Sequence, residues 1–386
     1  MKLLIILLKY IIFLTRNFKY LFFILMLPIL LSGCIHNQKK ESNSKNFQET
    51  LKIISKKNNV CNLAIAVIKN KKIVSLNSVN GCAVPSKQNS ESIFQAASLS
   101  KPVFAYAVMK LVAEGKLDLD TPLMKYLPQG YQHQYNPLKK EPYDLVTDPR
   151  LQIITARMVL NHTSGLPNWA SGPLTFYSAP EEKWGYSGEG FLLLQRAVET
   201  VTAKPLNQVM KEQVFDPLGM INSDFVWNSE MEEKLLIGTK ANGRPRKSVK
   251  LTEPVSAFSL YTTAEDYGKF LEVVLNDENL LRIITESTVM VNPKLNLSWG
   301  LGWGVEKNPK NTYIWHWGNN PGYRSFVLAS VQTGDGFVLF TNSENGLYLA
   351  KPIADILLPD EHKLFEFSLL KNDIVNILCN SLRLCL

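Results

Sequence analysis

The chain has 386 residues, 46% hydrophobic and 20% charged, enough apolar material for a large core in one or two domains and too much for a disordered chain. Its formal charge is +8, but Lys2, Lys9, Arg16 and Lys19 supply half of that before Cys34, in a stretch without acids. The remainder is only mildly basic and carries no arginine-rich stripe, so nucleic acid is excluded as an expected partner.

In chain order, basic residues come first, followed by YLFFILMLPILL and a small-residue stretch that ends at Cys34. That is the layout of an export signal. The 16 uncharged residues from Tyr20 to Ile35 contain Pro28 and fall short of the roughly 20 that a membrane-spanning helix needs. Leu31-Ser32-Gly33-Cys34 resembles the lipobox of bacterial lipoprotein signals. The resemblance implies removal of residues 1–33, a lipid anchor on Cys34 and residence in the cell envelope, on the periplasmic face if the envelope has two membranes. Residues 34–58 then read as a polar tether closed by a short amphipathic helix, with Phe47, Leu51 and Ile54 at helical spacing.

Two strands come next, at about 62–68 and 72–78, around an Asn-Lys-Lys turn. Cys61 and Cys82 flank them, so a bridge joining the strand ends fits an oxidising compartment; Cys379 and Cys385 allow a second, local bridge. Free thiols are the alternative, because spacing alone does not determine connectivity. No Cys/His cluster has metal-site spacing, and neither metal nor cofactor is expected. Residues 98–114 predict a helix apolar nearly all round, hence buried, with Gly115 closing it. A loop-rich middle contains a helix at 188–202, and Thr263 with Asp266 predicts a capped helix over 264–276. After Asn296 short aromatic and β-branched runs separated by glycine or asparagine predict an antiparallel sheet, followed by a helix near 346–357. Strands at both ends with helices between predict an α+β fold, one antiparallel sheet flanked by helices with a helical subdomain. The boundaries expected are 59–360 for this domain and 361–386 for a tail whose apolar residues suit either a cover for the sheet or a membrane contact.

Three pieces of chemistry stand out. S-x-x-K occurs at Ser42/Lys45, Ser98/Lys101 and Ser368/Lys371, but only Ser98 opens a buried helix. There the two side chains share a face, and a desolvated lysine can serve as base for a hydroxyl that is otherwise a poor nucleophile. Tyr186 sits in the glycine-flanked loop KWGYSGEG, where a phenol near that lysine can relay protons. In WHWGNNPGYRSF, His316 and Gly318 fall on one strand face. A glycine there admits a ligand's backbone, and an imidazole can donate to a carboxylate or polarise a carbonyl. Each piece alone also reads as a helix cap, a packing tyrosine or a core histidine.

Together, S-x-x-K, the Tyr186 loop and H-x-G, in this order and spacing, resemble the serine hydrolases related to class C β-lactamases and D-Ala-D-Ala carboxypeptidases, the penicillin-binding-protein-like family. LVAEGKLDLDTPL, LNHTSGLP, YSGEGFLLLQ, FDPLGM and TNSENG fit the same habit, over roughly residues 60–358. The resemblance implies Ser98 as acylated nucleophile, Lys101 as its base and Tyr186 as proton shuttle to the leaving group. It implies His316 and Gly318 beside the substrate, and an oxyanion hole from the backbone N–H groups of Ser98 and Asn319. Ester, D-amino-acid peptide and β-lactam substrates all fall within it, and a monomer is expected. One departure matters. The family's Tyr-x-Asn is Tyr186-Ser187-Gly188 here, and the missing asparagine leaves a weak or inactive binding protein for cell-wall peptide as the alternative. Glu189 is either a substitute or a first-turn helix acid. His162 reads first as a structural histidine and otherwise as one that shapes a loop behind the site, and Trp169, Tyr177 and Trp184 either wall an acyl pocket or simply pack.

Overall fold

Asn70 and Lys71 both take positive φ, 49° and 63°, the turn whose twist suits antiparallel strands. Strand β1 (Asn62–Lys69) therefore doubles back directly as β2 (Lys72–Asn80). The computed structural model describes residues 46–82, 89 and 91–371. The export signal, Cys34, the Ser42/Lys45 pair, Cys379 and Cys385 lie outside the described residues. The chain divides after Leu51 into two units. Residues 46–51 of the first are helical, as are residues 52–57 of the second. Among the described residues, the second unit holds every strand and all the remaining helices.

Cys61 and Cys82 are bonded at the open end of the hairpin, the pairing expected from their places at the strand ends. The sheet has eight strands, all paired antiparallel, in the order β2-β1-β12-β11-β10-β9-β8-β7. The later strands are β7 (Val289–Asn292), β8 (Leu297–Trp299), β9 (Gly304–Lys307), β10 (Thr312–Asn320), β11 (Tyr323–Ser330) and β12 (Gly336–Thr341). Two small ladders, β3 (Phe94–Gln95) with β6 (Tyr261–Thr262) and β4 (Gln132–Gln134) with β5 (Tyr143–Leu145), stand apart from it. Pro321-Gly322, with Gly322 at φ 86°, makes the turn between β10 and β11.

Five longer helices matter for the site: α1 (Ser100–Ala113), α2 (Gly188–Thr202), α3 (Ala264–Asn276), α4 (Glu278–Glu286) and α5 (Ala350–Leu357). α1 is buried on most of its circumference, through Val103, Phe104, Ala107, Val108 and Leu111. Burying one such side chain stabilises by roughly 1.5–3 kcal/mol. Pro102 falls in its first turn, where a missing N–H costs nothing. Ser187 caps α2 by accepting from the Gly190 N–H at 2.9 Å, and Thr263 caps α3 by accepting from Asp266 at 3.1 Å. α3 packs across β1, β2 and β12. α2 lies with the short helices and loops of the middle region, the predicted helical subdomain.

The other sheet face is covered by the chain beyond α5. Glu306, buried on β9, accepts from the Leu364 N–H at 2.9 Å and pairs with His362 Nδ1 at 2.8 Å. That clamp lays Phe365 on Phe326 and Phe367 on Trp315 and Trp317. Of the two roles open to the tail, its described part covers the sheet.

Candidate active site

Ser98 sits in a single 3₁₀ turn, Ala97–Leu99, immediately before α1. Ala97 is held at φ 52°, a left-handed conformation that a residue with a Cβ adopts only when its surroundings impose it. Three bonds do so. Ser325 Oγ donates to the Ala96 carbonyl at 2.6 Å, Ser100 Oγ donates to the Ala97 carbonyl at 2.6 Å, and the Leu260 N–H donates back to Ser100 Oγ at 3.0 Å. The turn is thereby fixed between β11 and the loop before β6.

Lys101 is fully buried. Its Nζ lies 3.2 Å from Ser98 Oγ and donates to the Ala257 carbonyl at 2.9 Å. The rings of Tyr186 and Phe191 stand 4.7 and 5.4 Å from it. Burial alone lowers its pKa from 10.5 to about 7. A neutral amine here can keep one N–H on Ala257 and turn its lone pair to the Ser98 hydroxyl.

Tyr186 is pinned from both sides by one residue. The Gly185 N–H donates to the His162 carbonyl at 2.8 Å, and the Ser187 N–H donates to His162 Nδ1 at 3.2 Å. The His162 ring lies 4.4 Å from the Tyr186 ring. Of its two readings His162 thus takes the loop-shaping one, and it is neutral, because burial and then Lys101 and His316 push its pKa well below 6.5. Its Nδ1 accepts, which places the proton on Nε2.

His316 does not reach the cleft as the sequence led us to expect. It is completely buried on β10, 6.2 Å ring to ring from Tyr186 and 5.3 Å from Trp299. Its Nδ1 faces the Trp317 carbonyl at 2.8 Å, so Nδ1 carries the proton and Nε2 is a bare acceptor. Burial, with Lys101 adding to it, lowers its pKa to about 3. A neutral imidazole so oriented cannot donate to a substrate carboxylate. Gly318 also serves differently. A Cβ there would meet Ser325 Oγ, the Ala96 carbonyl and Ala97 Cβ. What comes close is the protein's own turn, so the glycine is the seat on which Ser98 rests.

The cleft beside Ser98 has a volume of about 1140 Å³ and is lined among others by Tyr186, Trp169, Trp184, Trp317, Asn319 and Phe367. β9 pairs with β10 only as far as Trp315, so the strand runs on past its neighbour into this cleft. Trp169 and Trp184 are walls; Tyr177 is packing, its hydroxyl occupying the space where a side chain at Gly185 would begin. The space of the missing asparagine is likewise filled. A Cβ on Gly188 would lie 2.6 Å from the Trp169 ring and 2.7 Å from the Asn168 carbonyl. Glu189 does not replace it. It is buried, accepts from the Ala170 N–H at 2.8 Å and lies 3.3 Å from His133, whose other nitrogen meets Asp144 at 2.9 Å.

Sequence reasoning missed Ala257, whose contribution is a carbonyl, and the Ser256–Ser259 pair that holds it. Ser256 Oγ donates to the Phe191 carbonyl and Ser259 Oγ to that of Phe225, at 3.0 and 2.7 Å. The only hint was four small or apolar residues, SAFS, inside a loop. Of the two described S-x-x-K pairs, the second has Lys371 exposed and Ser368 on the rim of the cleft. Only Lys101 is desolvated.

A family profile described as Beta-lactamase matches residues 46–357. Penicillin-binding protein 4* of Bacillus subtilis is 24% identical over 73% of this chain and 66% of its own length. Esterase EstB of Burkholderia gladioli is 30% identical over 35% of this chain and 39% of its own. The chain therefore spans less than two thirds of each of these relatives. Among solved structures, D-alanine carboxypeptidase AmpC from Burkholderia cenocepacia superposes with a TM-score of 0.64 at 17% identity, covering 78% of this chain and 95% of that one. That likeness shows the fold: a mixed α/β architecture with an antiparallel sheet flanked by helices.

Proposed function

The chain belongs to the Beta-lactamase family, and within it we propose a serine hydrolase that cleaves an ester or amide through an acyl-enzyme on Ser98. The observation that carries this is Ser98 Oγ at 3.2 Å from a lysine amine wholly removed from water. Ser98 Oγ adds to the substrate carbonyl carbon while its proton passes to Lys101 Nζ. The carbonyl oxygen gains charge between the N–H groups of Ser98 and Asn319; one such donor is worth about 3–4 kcal/mol. The bond to the leaving group then breaks, and that group takes the proton from Lys101 by way of Tyr186. Water adds to the acyl-Ser98 carbonyl by the same relay, and an acid leaves. His162 holds the Tyr186 loop, and His316 backs it as a neutral acceptor.

The test is hydrolysis of p-nitrophenyl acetate and butyrate by the fragment from residue 36, beside Ser98→Ala and Lys101→Ala. Turnover lost in both folded variants is the expected result. A second reading, a non-catalytic binder of cell-wall peptide, is favoured by Gly188. It is preferred if the folded wild type neither turns over esters nor gains acyl mass on Ser98. We further propose that residues 1–33 are removed and Cys34 is lipidated, anchoring a monomer in the cell envelope. Incorporation of labelled palmitate that persists in Cys34→Ala would overturn this.

A further inference from the structure

The family match ends at residue 357, yet the cleft does not. Phe367, Ser368 and Leu369 line it together with Trp184 and Trp317. Phe367 is 5.9 Å from Trp184 and 6.2 Å from Trp317, ring to ring, in edge-on contacts. Leu369 is exposed on the rim. This wall is built. Leu364 and Leu370 are fully buried on either side of it. Glu306 clamps the approach through His362 and the Leu364 N–H, and Asp360 accepts from the Tyr313 hydroxyl at 2.6 Å. Charge gives a second, independent observation. Among the described residues lining the cleft there is no lysine or arginine. Lys101 lies behind Ser98, out of solvent, and His316 is neutral and turned to the interior. A substrate carboxylate entering this cleft meets no lysine or arginine on its walls, and the one acid that lines it, Glu189, is buried against His133.

We propose that the segment Phe367–Leu369 is the specificity-determining wall of the cleft, and that it selects substrates with an uncharged apolar or aromatic substituent over those bearing a free carboxylate beside the scissile bond. This rests on Ser98 being the acylated nucleophile. Burying an aryl face against the wall formed by Phe367 and Trp317 gains contact that a methyl group cannot make, whereas a carboxylate loses hydration without gaining a partner.

The experiment compares kcat/KM for four p-nitrophenyl esters, acetate, phenylacetate, butyrate and hydrogen succinate, in wild type, Phe367→Ala and Leu369→Ala, with Ser98→Ala as background. The wild type is expected to prefer phenylacetate to acetate by about tenfold or more, the scale of pocket discrimination, and butyrate to hydrogen succinate by a similar factor. Both variants lower the phenylacetate-to-acetate ratio, Phe367→Ala to near unity. Leu369, being exposed, gives a folded variant even if Phe367→Ala does not fold. An unchanged ratio in a folded variant overturns the proposal, as does hydrogen succinate equal to butyrate in the wild type. Turnover that survives in Ser98→Ala overturns the underlying reading instead. If the wild type turns over none of the esters, tryptophan fluorescence titrated with phenylacetamide decides. Weaker binding in either variant supports the wall, and equal binding in both sinks it.

Discussion

Lys101 is the residue on which both rate and stability turn. With the proposed acylation of Ser98, its pKa of about 7 predicts a rate that rises with pH and reaches half its plateau near neutrality, since only the neutral amine accepts the serine proton. The stability consequence has a definite sign. In the folded state the pKa is depressed, so between about 7 and 10.5 the unfolded chain carries a proton that the folded chain lacks. The wild type therefore gains stability as pH rises through that window, at up to about 1.4 kcal/mol per unit from this one group. Lys101→Met has no such group. Denaturant unfolding at pH 7 and pH 10 should show the wild type gaining on Lys101→Met at the higher pH; a constant difference would mean the lysine is charged when buried. Gly188 gives a second prediction at this scale. Gly188→Asn restores the family residue yet forces a Cβ into the Trp169 ring and the Asn168 carbonyl. Overpacking of this kind costs about 1–3 kcal/mol. Ester hydrolysis should fall, and the tryptophan emission should shift as Trp169 leaves Phe258, its T-shaped partner at 5.5 Å. Higher activity would instead show that the asparagine is wanted for itself.

At the scale of elements, the site is a docking of the Ala97–Leu99 turn onto β10 and β11. Gly318 faces Ser325 across the ladder, and Ser325 holds the Ala96 carbonyl. Gly318→Ala drives a methyl group into that carbonyl and must move either the strand or the turn. The expected loss is larger in kcat, by about 10²-fold as for other displacements of order 1 Å, than in thermal stability. A variant that melts early but retains kcat when folded would assign Gly318 to the sheet alone. The sequence carried much of this level. The Asn70-Lys71 turn, the cap at Thr263 and the S-x-x-K helix were legible because each is a local pattern of residue types. The orientation of His316 was not, because period-two alternation gives the face of a strand but not which face lies inward. Ala257 was hidden because it acts through a backbone carbonyl, 156 positions from the lysine that it binds. Phe367 was hidden because Glu306, which aims its segment, lies 56 positions before its partner His362.

For the whole molecule, the disulfide and the sheet order determine how the two ends of the domain are held. Cys61 and Cys82 close a loop of 21 positions, so breaking the bond by Cys61→Ser with Cys82→Ser should cost about 2–4 kcal/mol. Because the bridge lies at the far end of the hairpin from the turn, urea unfolding should shift while the rates of any ester hydrolysis remain nearly level; a large loss of rate would couple the hairpin to the site. The sheet binds the ends together in a second way. β1 lies between β2 and β12, and the Asn62 N–H reaches Asn342, 280 positions later. While the chain is being synthesised, β1 therefore waits on one side without its neighbour until nearly all of the domain exists. At about 5–20 residues per second that is tens of seconds during which an apolar strand edge stands open. The nascent polypeptide cannot complete its central layer on the ribosome before β12 emerges, so a chaperone has that interval in which to engage it unfolded.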